Sequence, residues 1–230
     1  MGKRKNKAED NRLIEKINAQ PAGLTRKKSK TREYIESFII AALIAFFVRS
    51  FFIQAFKIPS SSMEPTLLIG DHLLVNRLSY VVKVPFTDMV LFNLGTPERG
   101  EIIVFRYPAD TSKDFIKRVI AKPGDTVEIR DKKVFVNGEK SDDPWGFFSD
   151  DMNLPAYVSP KDNLGPIKVP KDAYFVMGDN RDRSLDSRFW GFVKHDLLVG
   201  RALIIYFSWN NRSDGVFDYI RWTRIGKLIR

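Results

Sequence analysis

The chain contains no cysteine. That excludes a disulfide framework, a thiol nucleophile and a thiolate metal site. It suits a domain that folds in an oxidising space, where stray thiols would mispair. Histidine is nearly as scarce, with only His72 and His195. His72 follows Gly70-Asp71 just before an apolar run, and His195 lies in the polar turn Val193-Lys-His-Asp196. Neither has a second histidine at metal-ligand spacing, which argues against zinc hydrolysis. A Ser-His-Asp triad would need one of the two, and nothing local supports it. Both read as ordinary surface or edge residues. RNP, zinc-finger and basic-zipper patterns are also lacking, so the net charge of +10 is not read as nucleic-acid binding. The excess is a tail: residues 1–33 hold +7 of it and the remaining 197 residues only +3.

What is present suits an anchor and one sizeable domain: 230 residues, 43% of them hydrophobic. Residues 37–48 carry no charge, Arg49-Ser50 interrupts, and residues 51–56 resume the apolar run. From Ser37 to Phe56 there are 20 residues, about enough to cross a ~30 Å hydrocarbon core. Arg49 would snorkel to the headgroups. A buried core helix is the other reading, but the basic flank sits on one side only, as a span requires. That flank is predicted to stay cytoplasmic, with the residues after the anchor on the far side of the membrane. The apolar run is followed by Gln54-Ala-Phe-Lys57, with no small-x-small step, so an uncleaved signal anchor is expected rather than a cleavable signal peptide. The expected organisation is a basic cytoplasmic tail (1–33), a transmembrane helix (34–56) and an extracytoplasmic domain (57–230).

That domain reads as mainly β. Short β-branched or aromatic runs at 73–75, 101–107, 115–120, 126–130, 133–136, 173–177 and 203–207 are expected strands. Pro123-Gly124-Asp125 and Asn137-Gly138 are turn signals between them. The prediction is an antiparallel β-sheet domain, with residues 139–168 as a polar, turn-rich insertion.

Two segments can carry chemistry. Lys117 sits in Asp114-Phe-Ile-Lys-Arg-Val-Ile120. In a strand, Phe115, Lys117 and Val119 share a face, so the lysine is flanked by apolar neighbours. A buried lysine loses its charge and serves as a base; a strand-edge lysine points to water. The pattern alone leaves both open. Ile58-Pro-Ser-Ser-Ser-Met-Glu-Pro-Thr-Leu67 is either a Ser/Pro linker or a packed segment lining something. Ile58, Met63 and Leu67 favour the packed segment.

Here the chain resembles a known family. Ile58-Pro-Ser-Ser-Ser-Met63 with Pro65-Thr-Leu67, Gly70-Asp71 with Leu73-Leu-Val75, Arg99-Gly-Glu-Ile-Ile-Val-Phe105 with Phe115-Ile-Lys-Arg118 and Pro123-Gly-Asp125, and the loop from Gly178 to Arg188 with Trp190-Gly-Phe192 resemble, in order, the boxes of type I signal peptidases. By that resemblance Ser62 matches the nucleophile and Lys117 its general base. Ser60 matches a hydroxyl that completes the oxyanion site with the Ser62 N–H, and Ser184 one that orients the lysine. Arg118, Asp179, Asp186 and Arg188 match charged residues that brace the site. Phe56, Ile58, Pro59, Met63, Leu67, Val104, Phe115 and Ile116 match the pocket for small residues at −1 and −3. Ser61 departs from the family, which usually has Gly there, and the 139–168 insertion is shorter than many family members carry.

The resemblance implies a membrane-bound serine endopeptidase of the bacterial cytoplasmic membrane, needing no metal or cofactor. Its implied partners are signal-peptide-bearing preproteins and the phospholipid bilayer, with the protein-export translocon as a further candidate and no nucleic acid. The rival readings are another Ser/Lys protease and a membrane-tethered binding protein. No serine here is spaced S-x-x-K, which removes the penicillin-binding class. The tethered binding protein leaves Ser62, Lys117 and Ser184 unexplained. Asn211-Arg-Ser213 is read as a chance glycosylation pattern.

Overall fold

The computed structural model describes residues 29–84, 89–210 and 219–229. Residues 1–28 of the basic tail and the Asn211-Arg-Ser213 pattern lie outside the described residues.

Helix α1 (Lys30–Phe51) starts where Ser29 accepts the Arg32 N–H, at 3.0 Å on its carbonyl and 3.3 Å on its Oγ. Its 22 residues rise about 33 Å, but Lys30, Arg32, Glu33, Glu36 and Arg49 lie within it. Among the described residues, no helix is long and apolar enough to cross a membrane. Nor is the stretch 34–56 a single helix. Its last residues leave for strand β1 (Ile53–Lys57), paired antiparallel with β2 (Asp71–Asn76) from Ile53↔Asn76 to Lys57↔His72. An available sheet edge satisfies this backbone, so the apolar run changes from helix to strand at Phe52.

The strands continue as β3 (Val81–Lys83), β4 (Val90–Asn93), β5 (Ile102–Tyr107), β6 (Asp110–Ala121), β7 (Thr126–Arg130), β8 (Lys133–Val136), β9 (Glu139–Lys140), β10 (Leu164–Lys168), β11 (Ala173–Met177), β12 (Val193–Lys194) and β13 (Leu198–Ser208). They form a seven-stranded sheet in the order β1-β2-β13-β5-β6-β11-β12, a four-stranded sheet β10-β7-β8-β9 and the β3-β4 hairpin. All named pairs are antiparallel, and each expected strand is found. Asn137 and Gly138 turn β8 into β9 with φ of 56° and 84°, values that Asn and Gly tolerate best. The insertion supplies β9 and β10 to the smaller sheet, while β7 and β8 come from before it.

Strand β5 is buried on both faces. Ile102 and Val104 join one apolar cluster with Leu73, Val75 and Ile205, whereas Ile103 and Phe105 join another with Val119, Val176 and Leu198. A third cluster, with Val127, Ile129, Val134, Phe175 and Met177, packs the smaller sheet against β6 and β11. Phe105 is fully buried at the centre. Phe105→Ala should destabilise the domain by about 3–5 kcal/mol, measured by urea unfolding; a loss below about 1 kcal/mol would place the weight of the core elsewhere.

Candidate active site

The Ser60–Ser62 stretch is held from below and from above. The Ile58 N–H donates to the Asp71 carbonyl at 2.8 Å, and the Gly70 N–H to the Ile58 carbonyl at 3.0 Å, tying the segment to the start of β2. Ile58, Met63 and Leu67 are buried in the cluster beneath the sheet. From above, the Asn180 N–H donates to the Ser62 carbonyl at 3.1 Å. Such a segment is no linker. Ser62 is left with 7% of its surface exposed, and its N–H has no hydrogen-bond acceptor among the described residues.

Lys117 reaches this serine from β6. Its Nζ donates to Ser62 Oγ at 2.7 Å and to the Ile116 carbonyl at 3.0 Å, and lies 5.6 Å from the centre of the Phe115 ring. The residue is 4% exposed, so the structure resolves the alternative the sequence left open: this lysine is buried. Burial pushes its amine down to about 8, against the pull of Asp186 and Asp179 and with help from Arg188. An amine with that pKa is neutral in an appreciable fraction near neutral pH. Ser60 Oγ lies 3.4 Å from Ser62 Oγ.

The Gly178–Arg188 stretch closes over these groups. Arg118 donates to both oxygens of Asp179 at 2.7 and 2.6 Å, with both side chains fully buried. Arg188 donates to Asp186 at 2.9 Å through Nε and Nη2, and the Gly178 N–H adds a bond of 3.0 Å. Burial alone would raise the Asp186 carboxyl, but Arg188 and these donors hold it below its ordinary value. A Cβ at Gly178 would stand 2.3 Å from the Ser62 carbonyl oxygen and 2.3 Å from Ser184 Oγ, so only glycine permits this approach. Ser184 is buried beside Asp186, whose carboxyl it helps to hold down, and its Oγ makes no hydrogen bond with the Lys117 amine. The contact expected between Ser184 and the lysine amine is not formed.

A cleft of about 340 Å³ opens on the pair, lined by Pro59, Ser60, Ser62, Asp114, Phe115, Ile116, Lys117, Arg183 and Leu185. Of the expected pocket residues, Pro59, Phe115 and Ile116 line it. Ile58, Met63, Leu67 and Val104 instead lie in the core beneath it, with Phe56 packed against that core. Asp114, Arg183 and Leu185 were missed. Arg183 and Leu185 flank Ser184, so their place in the loop was a usable signal; Asp114 offered only its adjacency to Phe115. The serine, the depressed lysine and the cleft together can support nucleophilic attack on a carbonyl without histidine.

The family model described as signal peptidase, peptidase S26, matches residues 31–209. A signal peptidase I of Pseudomonas fluorescens is 36% identical over 227 residues, covering 86% of this chain and 77% of that protein. The signal peptidase I of Pseudomonas aeruginosa is 34% identical and covers 87% and 78%. A probable signal peptidase I-2 of Synechocystis is 41% identical, over 74% of this chain and 70% of its own. The family match takes in the serine segment, the lysine strand and the loop that closes over them, and on that extent of likeness the chain belongs to the signal peptidase family, peptidase S26.

Proposed function

We propose that this signal peptidase removes signal peptides with Ser62 as nucleophile and Lys117 as general base. The observation that carries this reading is the 2.7 Å contact between Lys117 Nζ and Ser62 Oγ, with both residues buried. Neutral Lys117 takes the hydroxyl proton as Ser62 Oγ attacks the scissile carbonyl. The Ser62 N–H and the Ser60 hydroxyl stabilise the developing oxyanion. Protonated Lys117 then returns the proton to the leaving amine, and water hydrolyses the acyl-enzyme with the amine again as base. No metal or cofactor enters.

The substrate is an extended peptide. β5 occupies one edge of β6 along its length, whereas β11 joins the other edge only from Arg118 onward. That leaves residues 114–116 an edge on which a strand can add. Pro59, Phe115 and Ile116 make a shallow apolar wall suited to small side chains at −1 and −3. The Arg118–Asp179 and Arg188–Asp186 pairs hold the loop in place beside the amine.

Ser62→Ala and Lys117→Ala should each abolish cleavage of a preprotein while the protein stays folded, and the double variant should be little worse, because the two groups act as a unit. Turnover should rise with pH through a midpoint near the depressed value of about 8. The stability sign is opposite to that of an ordinary ion pair. Folded Lys117 binds its proton less tightly than the unfolded chain does, so it costs stability below about 8, and the cost fades as pH rises toward ~10.4. Lys117→Met should therefore be inactive yet more stable at pH 7, in a thermal melt. Near-normal turnover in Lys117→Ala would overturn the mechanism.

Helix α1 by itself falls short of a full apolar span, and we propose that it is nonetheless the membrane anchor, with the basic N-terminal side cytoplasmic and the β domain on the outer face of the bacterial inner membrane. Phe38, Ile39, Ile40, Leu43, Ile44, Phe46 and Phe47 are each at least half exposed. An apolar surface on all sides of a helix suits lipid rather than water. Its charges lie toward the two ends, where long side chains reach the headgroups. Protease added to spheroplasts should digest the chain beyond residue 57 and spare residues 1–33; protection of the β domain would reverse the orientation.

A further inference from the structure

The insertion runs back over the catalytic loop: Lys161 meets Arg188 through its carbonyl at 2.8 Å and Asp182 through its amine at 3.0 Å, and residues 143–150 make a longer set of contacts. Asp143 pairs with Arg181 through both carboxylate oxygens, at 2.6 Å for Oδ1 with Nη2 and more closely for Oδ2 with Nη1. Arg181 Nε in turn donates to the Gly178 carbonyl at 3.1 Å. The Phe147 N–H donates to the Asp179 carbonyl at 2.7 Å and the Phe147 carbonyl accepts the Arg181 N–H at 2.8 Å, so this short stretch pairs with the loop like a strand. Asp182 accepts the N–H groups of Ser149 and Asp150 at 2.6 and 3.0 Å. Asn180, which lies between the gripped Asp179 and Arg181, is the residue whose N–H holds the Ser62 carbonyl.

Trp145 makes a second grip, on the lysine side. Its ring lies against the Arg118 guanidinium, 4.3 Å from ring centre to Cζ. The seat for the ring is Gly100, where a Cβ would come within 2.8 Å of the indole edge. Arg118 also donates to the Gly100 carbonyl at 2.5 Å and to Asp179, and it follows Lys117 directly in β6. One segment thus covers the buried ion pair beside the lysine and fastens the loop that holds the serine.

We infer that residues 143–150 are a strap that positions Ser62 against Lys117, with Trp145 as its positioning residue. Trp145 touches neither Ser62 nor Lys117. It fixes Arg118 and keeps water from the Arg118–Asp179 pair. The charged groups facing the Lys117 amine are Asp179, Asp186 and Arg188 from the loop. Arg118 is the adjoining residue on β6, and the serine segment offers the hydroxyls of Ser60 and Ser62. Removing the indole opens this cluster to water, which lessens the desolvation of Lys117 and moves its titration upward. The inference rests on the Ser62–Lys117 reading above.

The test measures kcat, KM and the pH midpoint of kcat for full-length Trp145→Ala, Trp145→Phe and Lys117→Ala on a preprotein. In Trp145→Ala, kcat should fall about tenfold or more with KM changed less than about twofold, since a small misplacement of reacting groups is felt mainly in turnover. The midpoint should rise by about half a pH unit or more as water enters. Trp145→Phe keeps a ring over the guanidinium and should recover most of both losses. Wild-type kcat and midpoint in a folded Trp145→Ala would overturn the strap, as would a loss of kcat matched by a loss of folded protein with the midpoint unmoved. Should Trp145→Ala fail to fold, Asp143→Asn, which leaves the indole in place and loosens Arg181, is read by the same criteria. Lys117→Ala separates the two claims: near-normal turnover there sinks the dyad and the strap together. An inert Lys117→Ala beside a wild-type Trp145→Ala sinks the strap alone.

Discussion

Keeping a lysine amine out of water next to a serine is the constraint around which this domain is organised. Moving Lys117 from its ordinary pKa to about 8 corresponds to about 3 kcal/mol of lost charge stabilisation. That is a large fraction of the stability of an ordinary domain. It is sustained by packing on several sides. β5 gives β6 a neighbour buried on both faces, Phe115 covers the amine, and the serine segment closes the remaining side. A serine protease built this way needs no histidine. In the proposed mechanism its base is made by burial rather than by choice of a side chain that titrates near neutrality.

The charges around the lysine act in opposite directions. Asp179 and Asp186 favour the protonated amine, and Arg188 opposes them. Each aspartate carries its own arginine, Arg118 for Asp179 and Arg188 for Asp186, both in fully desolvated contacts. Buried pairs of this kind are poor sources of net stability, but breaking one leaves an uncompensated charge. Their effect is geometric: the loop has a single well-satisfied position, with Gly178 pressed on the Ser62 carbonyl. The amine is depressed by burial, against the pull of the two aspartates and with help from Arg188.

The strands were legible because β-branched and aromatic runs alternate with turn residues; Asn137-Gly138 is one such turn, and its φ values bear it out. Burial of Lys117 was only half legible. Local sequence supplied Phe115 and Val119, whereas Ser62 lies 55 residues away and is brought there by the sheet. The run 34–56 was misleading in its last residues, because a hydrophobic stretch does not state whether helix or sheet will satisfy its backbone, and β2 offers a partner. Four expected pocket residues lie in the buried core rather than along the cleft. Ile58, Met63, Leu67 and Val104 are apolar for the sake of the core, and sequence cannot separate that reason from contact with a ligand. Nothing local marked Trp145, whose significance comes from Gly100 and Arg118, both distant in the chain.

The central claim is that burial depresses the Lys117 amine far enough to leave a substantial neutral fraction near neutral pH, and direct titration of that amine tests it most closely. The chain labelled with ¹⁵Nζ-lysine would be followed by NMR against pH, with the Lys117 signal assigned by its loss in Lys117→Met. The account predicts a midpoint near 8, well apart from the surface lysines. A Lys117 signal that titrates with the others near ~10.4 would contradict it.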